Sequence, residues 1–212
     1  MHHDFWHKRW STNDIGFHEA HGNHLLKKYY DAFLLPAQTL VMVPLCGKTR
    51  DIAWLLSRGC QVVAIELNEQ AVLQLFAELG AEPKREQKDA FIHYYLPDLS
   101  VYVGDFFKLK QAHIGKPDLI FDRGALVALP DDLRSKYSEH LQLVAPSAVQ
   151  FLICYQYSQS LFKGPPFNVS EDNIRRLYSQ KYTIAELYRG HVEGGFRSQS
   201  EVFEAVYALS PK

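Results

Sequence analysis

The sequence predicts an α/β protein, with a doubly wound, mostly parallel sheet that carries helices on both faces and an antiparallel hairpin at its C-terminal edge. Three observations predict it. Short continuous apolar runs at 39–43, 61–65, 118–121 and 148–155 read as strands buried on both faces. Segments with apolar residues at helical spacing separate them, the alternation of a wound α/β sheet. The last two strand-like runs, near 181–188 and 202–209, follow without a long crossover between them, so they pair antiparallel at one edge.

Each element has its own reason. Residues 4–18 form an aromatic entry segment in which Phe5, Trp6 and Trp10 recur at helical spacing, predicting a short amphipathic helix. Leu25, Leu26, Tyr29, Tyr30 and Phe33 predict a second helix over 23–33, closed by Pro36. After the first strand, 44–48 is a turn. Ile52, Leu55 and Leu56 then mark a helix that Gly59 ends. The second strand closes at Glu66, and a helix over 70–79 stops at Gly80. Residues 91–95 and 100–103 flank Leu96-Pro97-Asp98-Leu99 as a hairpin. The strand at 118–121 ends at Asp122-Arg123-Gly124. Pro130 opens a helix whose first turn carries Asp131 and Asp132, where a helix dipole favours acids. Gly164-Pro165-Pro166-Phe167 is a rigid loop, and a further helix starts near Ser170.

Composition narrows the class. The chain's 212 residues suit one domain able to hold a core without disulfides or metal. Hydrophobic residues make up 47% and charged residues 22%, which argues against global disorder. Lys and Arg number 23 against 24 Asp and Glu, so no field gathers nucleic acid or an anionic membrane. Cys46, Cys60 and Cys154 are scattered and odd in number, which fits a reducing cytoplasm. No apolar run reaches the roughly 20 residues of a membrane helix. His18, His21 and His24 repeat no zinc spacing, so no metal site is expected.

In wound sheets, ligands sit at the carboxyl ends of strands. The first such loop is Leu45-Cys46-Gly47-Lys48-Thr49-Arg50. Gly47-Lys48-Thr49 imitates the end of a phosphate loop, but Met42 stands where the motif needs its first glycine. One glycine is also too few for a dinucleotide cradle. Glu66 stands nineteen residues after Gly47, placed to accept hydrogen bonds from ribose hydroxyls. A ribose without a pyrophosphate describes S-adenosylmethionine. The alternative for Glu66 is a cap on the next helix. Asp105, beside Phe106 and Phe107, suits an adenine edge and face; a turn-capping Asp is the alternative.

Several stretches together resemble the thiopurine S-methyltransferase family, its bacterial members above all: Phe5-Trp6 through Trp10, Gly16-Phe17-His18, Val43-Pro44-Leu45-Cys46-Gly47-Lys48, Ile65-Glu66-Leu67, Gly104-Asp105-Phe106-Phe107, Phe121-Asp122-Arg123-Gly124-Ala125-Leu126 and Gly164-Pro165-Pro166-Phe167. The resemblance covers nearly the whole chain. It implies a class I methyltransferase, Rossmann-like fold with a seven-stranded sheet, and S-adenosylmethionine as methyl donor. It implies a single domain over 1–212, with 1–35 as a helical cover over the cofactor site and an N-terminus complete at this length. It places Trp10, Leu45, Glu66, Asp105, Phe106 and Arg123 at the cofactor, and Phe17, Trp6 and Pro166 at the acceptor. Arg123 is the catalytic candidate. The expected acceptor is a small-molecule aromatic or heterocyclic thiol, used by a cytoplasmic monomer that engages neither nucleic acid nor membrane. Halide, thiocyanate or selenium and tellurium oxyanions are alternative acceptors on the same fold. A non-catalytic module that binds S-adenosylmethionine is the alternative outside enzymes.

Overall fold

A computed structural model describes residues 3–192, 195, 196, 199 and 201–212; Met1 and His2, the first residues of the expected 1–35 cover, lie outside the described residues. The chain packs as two compact units, Met1–Asp118 and Leu119–Lys212.

The first unit opens with α1 (His3–Ser11) and α2 (His24–Tyr29), the latter running into a 3-10 turn at Tyr30–Phe33. Asn23 caps α2 by accepting from the amides of Leu25 and Leu26. Then come β1 (Leu40–Pro44), α3 (Asp51–Ser57), β2 (Gln61–Glu66), α4 (Glu69–Leu79), β3 (Lys84–Lys88), β4 (Phe91–Leu96), β5 (Leu99–Val103), a 3-10 turn at Phe106–Lys108 and α5 (Gln111–Ile114). The strands lie in the order β3-β4-β5-β2-β1. β1, β2 and β5 run parallel, with Pro44 opposite Ile65 and Glu66 opposite Val103. That register brings the carboxyl ends of three strands to one edge. Val41, Met42, Val43, Val62, Val63, Ala64 and Ile65 are all buried, as a strand covered on both faces requires. Burying each Val or Ile side chain contributes about 1.5–3 kcal/mol. Gly80 ends α4 at a φ of 64°.

The second unit contains β6 (Leu119–Arg123), a 3-10 turn at Leu126–Ala128, α6 (Asp131–Val144), β7 (Val149–Gln156), α7 (Glu171–Tyr178), β8 (Tyr182–His191) and β9 (Phe203–Pro211). Its strand order is β6-β7-β9-β8, with β6 and β7 parallel and both of β9's pairings antiparallel. The expected C-terminal edge hairpin is therefore β8 with β9. Ser170 and Asn173 form a reciprocal capping box at the start of α7.

Three sequence expectations need correction. Among the described residues the strands number nine, not seven. The hairpin strand β4 and the unforeseen β3 form an extra antiparallel edge. β3 reads Lys-Arg-Glu-Gln-Lys and is largely exposed, so it carries no apolar alternation; its charges suit an edge strand, where they discourage further pairing. The helix expected over 23–33 is α for only six residues before tightening to 3-10. The strand expected to end at Phe121 continues through Asp122 and Arg123.

Candidate active site

The loop leaving β1 turns through two left-handed residues, Leu45 at φ 48° and Gly47 at φ 54°. A leucine in that region is strained and must be held there. Cys46 N–H donates to the Ile65 carbonyl at 3.0 Å, tying the loop to β2. Gly47 N–H donates to Glu66 Oε2 at 2.8 Å. Glycine is favoured here on two counts, since the backbone is left-handed and a Cβ would stand 3.1 Å from Trp10 Cζ2, so the ring would have to give slightly. Gly47→Ala is expected to cost about 1 kcal/mol through the left-handed backbone, a fall of about 2–4 °C in Tm for a chain of this size. An unchanged melting curve would show that the loop leaves the left-handed conformation at no cost and that Trp10 gives way to the added methyl.

Glu66, at the end of β2, is only 6% exposed. Its second oxygen, Oε1, accepts from Asn68 N–H at 2.9 Å. Burial pushes this carboxyl up, and the amides of Asn68, Gly47 and Leu67 pull it back toward the charged form. The acid thus clamps the β1 loop to the β2 exit and still has lone pairs for a further donor. Asn68 caps α4 through Oδ1, accepting from Ala71 N–H at 3.3 Å, and its Nδ2 lies 3.0 Å from His7 Nδ1 on α1.

Above this loop stands an edge-to-face aromatic cluster. Phe17 meets Trp6 at 5.8 Å and Trp10 at 5.7 Å between ring centroids, and Phe5 meets Trp6 at 5.1 Å. Trp10 is buried, whereas Trp6 and Phe17 keep part of their surface. At the β5 exit, Gly104 N–H donates to the Glu66 carbonyl at 2.9 Å. Asp105 Oδ1 accepts from Phe107 N–H at 3.0 Å, so this acid does cap its turn; Phe106 beside it is buried. The first unit therefore brings Trp10, Leu45, Glu66, Asp105 and Phe106 to one strand edge, with Trp6 and Phe17 in the aromatic layer.

In the second unit, Arg123 ends β6 half-buried and Gly124 turns the chain at φ 86°. Asp122, fully buried, accepts from Leu126 N–H at 3.1 Å and from the Tyr137 hydroxyl at 2.7 Å. Phe167 N–H donates to the Val127 carbonyl at 2.7 Å, which draws the Gly164–Phe167 loop onto the turn after β6. The Pro166 carbonyl accepts from the Tyr157 hydroxyl at 2.6 Å. Arg123 and Pro166 thus sit on two segments joined by a backbone bond.

Several supporting residues escaped sequence reasoning. Lys48 pairs with Glu78 at 2.9 Å and Arg50 with the same carboxylate at 3.2 Å, fastening the loop to α4. Asp51, buried at the start of α3, accepts from Asn23 N–H at 2.6 Å and Thr49 Oγ1 at 2.8 Å. Arg134 Nε donates to the Leu129 carbonyl at 2.9 Å. Among the supporting residues, Asn23 and Asn68 carried a sequence signal, as N-cap residue types ahead of helices. Among the described residues, no three metal-ligating side chains converge, and no helix is long and apolar enough to cross a membrane.

Comparison with known proteins adds to this geometry. The model of the thiopurine S-methyltransferase family matches residues 1–212. A thiopurine S-methyltransferase of Xanthobacter autotrophicus is 44% identical over 207 residues, 97% of both chains. Another, from Acinetobacter baylyi, is 41% identical over the full length of both. Among solved structures, the chain is similar to a SAM-dependent methyltransferase of Anabaena variabilis, with a TM-score of 0.66, 11% identity and coverage of 99% and 95%. It is also similar to the 1,6-didemethyltoxoflavin-N1-methyltransferase of Burkholderia thailandensis, solved with bound S-adenosylhomocysteine, with a TM-score of 0.65, 16% identity and coverage of 99% and 86%. These likenesses establish the class I methyltransferase fold.

Proposed function

Because the chain belongs to the thiopurine S-methyltransferase family, we propose that it transfers a methyl group from S-adenosylmethionine to the sulfur of an aromatic or heterocyclic thiol. The observation that carries the reading is the clamp of Glu66 on Gly47 N–H, beneath Trp10. It presents a carboxylate acceptor at a strand end with a single-glycine loop and no phosphate cradle, which fits an adenosine without a pyrophosphate. Glu66 accepts from the ribose hydroxyls. Leu45 and Trp10 line the loop side, Asp105 and Phe106 serve the adenine, and Arg123 offers the cofactor only a positive charge, which a lysine would keep. The family match over the whole chain supports one methyltransferase domain over 1–212, with 1–35 as its cover.

When bound, S-adenosylmethionine supplies a methyl group made electrophilic by its sulfonium. The protein's part is alignment, which alone lowers such a barrier by about 7–11 kcal/mol. A thiolate needs little help from a base, so the residues required are those that orient and hold charge. Phe17, Trp6 and Pro166 hold the acceptor ring, and aromatic faces also favour a cationic centre. Arg123 holds negative charge on the acceptor while its sulfur attacks. The acceptor is a free small molecule, with neither nucleic acid nor membrane as a partner, and the protein acts as a cytoplasmic monomer.

A turnover assay with labelled methyl donor tests this reading. Heterocyclic thiols, plain aromatic thiols, halides, thiocyanate, selenite and tellurite are compared as acceptors. Methylated thiol is expected, with the ring thiols preferred. Transfer confined to halides or oxyanions would move the activity to another acceptor class. Tight donor binding with no transfer to any of them would leave a binding module.

A further inference from the structure

We propose that Asp122 and Tyr137 form a positioning pair that sets the turn carrying Arg123, and so tunes use of the acceptor. The inference rests on the assignment of Arg123 to the acceptor.

The geometry singles this pair out. Asp122 immediately precedes Arg123 on β6, so the two side chains leave opposite faces of the strand. Its Oδ1 accepts from Leu126 N–H, the Ala125 amide also favours the charged carboxylate, and its Oδ2 takes the Tyr137 hydroxyl at 2.7 Å. The carboxylate therefore closes the turn 123–126 from inside and is itself fixed to α6. Arg134, one turn earlier on α6, holds the far end of the same segment through the Leu129 carbonyl. Two residues at i and i+3 on one helix thus grip both ends of 122–129.

A fully buried carboxylate is a poor way to gain stability. Burial outweighs the three donors and pushes Asp122 up to about 6. Among the described residues, the titratable groups that face it are Tyr137 of α6, Cys154 of β7 and Tyr178 of α7, and burial pushes all three up and keeps them neutral. Because the folded-state value is raised, the stability linked to this group is present below its ordinary value near 3.8 and is lost as pH rises through about 6. The charge is carried at neutral pH at a cost, and its beneficiary is the turn. Above about pH 6 the ionised carboxylate grips both amides with charge-assisted bonds; below it, the neutral acid grips them less firmly.

The test compares KM and kcat for a thiopurine, and donor Kd, between about pH 5 and pH 8 in the wild type, Tyr137→Phe, Asp122→Asn and Arg123→Lys. The acceptor's own ionisation is common to all four, so ratios to the wild type read the protein. Relative to Asp122→Asn, the wild-type acceptor KM is expected to rise about three- to ten-fold as pH falls through the Asp122 transition, with donor Kd steady. Tyr137→Phe removes a donor to the charged form and is expected to move that rise to higher pH. Asp122→Asn is expected to abolish it and leave KM at the raised level throughout. This variant buries no charge, so it should fold at least as well as the wild type above about pH 6, and it carries the test if Tyr137→Phe is unstable. If Arg123→Lys weakens acceptor use while the Asp122→Asn ratio stays flat at unity, the positioning role falls and the Arg123 assignment stands. If Arg123→Lys leaves acceptor use untouched, both fall. A change confined to donor Kd in Asp122→Asn or Tyr137→Phe also overturns the proposal.

Discussion

Glu66→Gln is expected to weaken binding of S-adenosylhomocysteine by at least about ten-fold and to lower the Tm of the ligand-free protein as well. The affinity loss follows from charge. Hydrogen bonds to an ionised acceptor contribute about 1.5–3 kcal/mol, and about 1.4 kcal/mol is a factor of ten. The stability loss follows from the clamp. Glu66 offers one oxygen to Gly47 N–H at 2.8 Å and the other to Asn68 N–H at 2.9 Å. A glutamine keeps one acceptor and turns an NH2 group toward the other amide, so one buried N–H loses its partner at a cost of about 1–3 kcal/mol. Calorimetry for affinity and a thermal melt without ligand separate the two effects. A lowered Tm with unchanged affinity would make Glu66 a loop clamp and nothing more.

This double duty shows where sequence reading stops. Counting nineteen residues from Gly47 located Glu66 correctly at a strand end, because buried strands and tight turns leave periodic, local traces. The same holds for β1 and β2, for the Gly80 stop of α4, and for the hairpin around Pro97 and Asp98. It fails for β3, whose five polar residues are held by backbone pairing to β4 and by polar side-chain contacts such as Glu86 with His93, and carry no alternation to read. It fails again for side chains that meet across the fold. Tyr137 reaches Asp122 from the second turn of a helix fifteen residues on, and His7 reaches Asn68 across 61 residues. Such pairs are fixed by packing, and no spacing rule encodes them. Asp122 was legible only as the end of a strand; its complete burial follows from the two strand residues that sequence reading left to the loop.

Arg123→Lys is expected to keep donor affinity nearly intact while lowering kcat/KM for a thiopurine by at least about ten-fold, roughly 1.4 kcal/mol. The substitution retains the positive charge and removes the planar fork, so it isolates directional hydrogen bonding from simple charge attraction. Backbone effects should be small, because the turn after Arg123 is set by Gly124 at φ 86° and by the Asp122 carboxylate, neither of which changes. If the fork meets the ring of the acceptor, the loss should be larger for thiols with a ring nitrogen beside the sulfur than for a plain aromatic thiol, which offers the fork no second acceptor atom. The comparison therefore reads recognition within one variant, free of differences in folding or donor occupancy. Equal losses for the two thiols would reduce Arg123 to a point charge. Loss of donor binding with normal turnover at saturating donor would move it wholly to the cofactor. Unfolding of Arg123→Lys would make it a structural ion-pair residue, since a lysine retains the charge but cannot replace a bidentate structural contact.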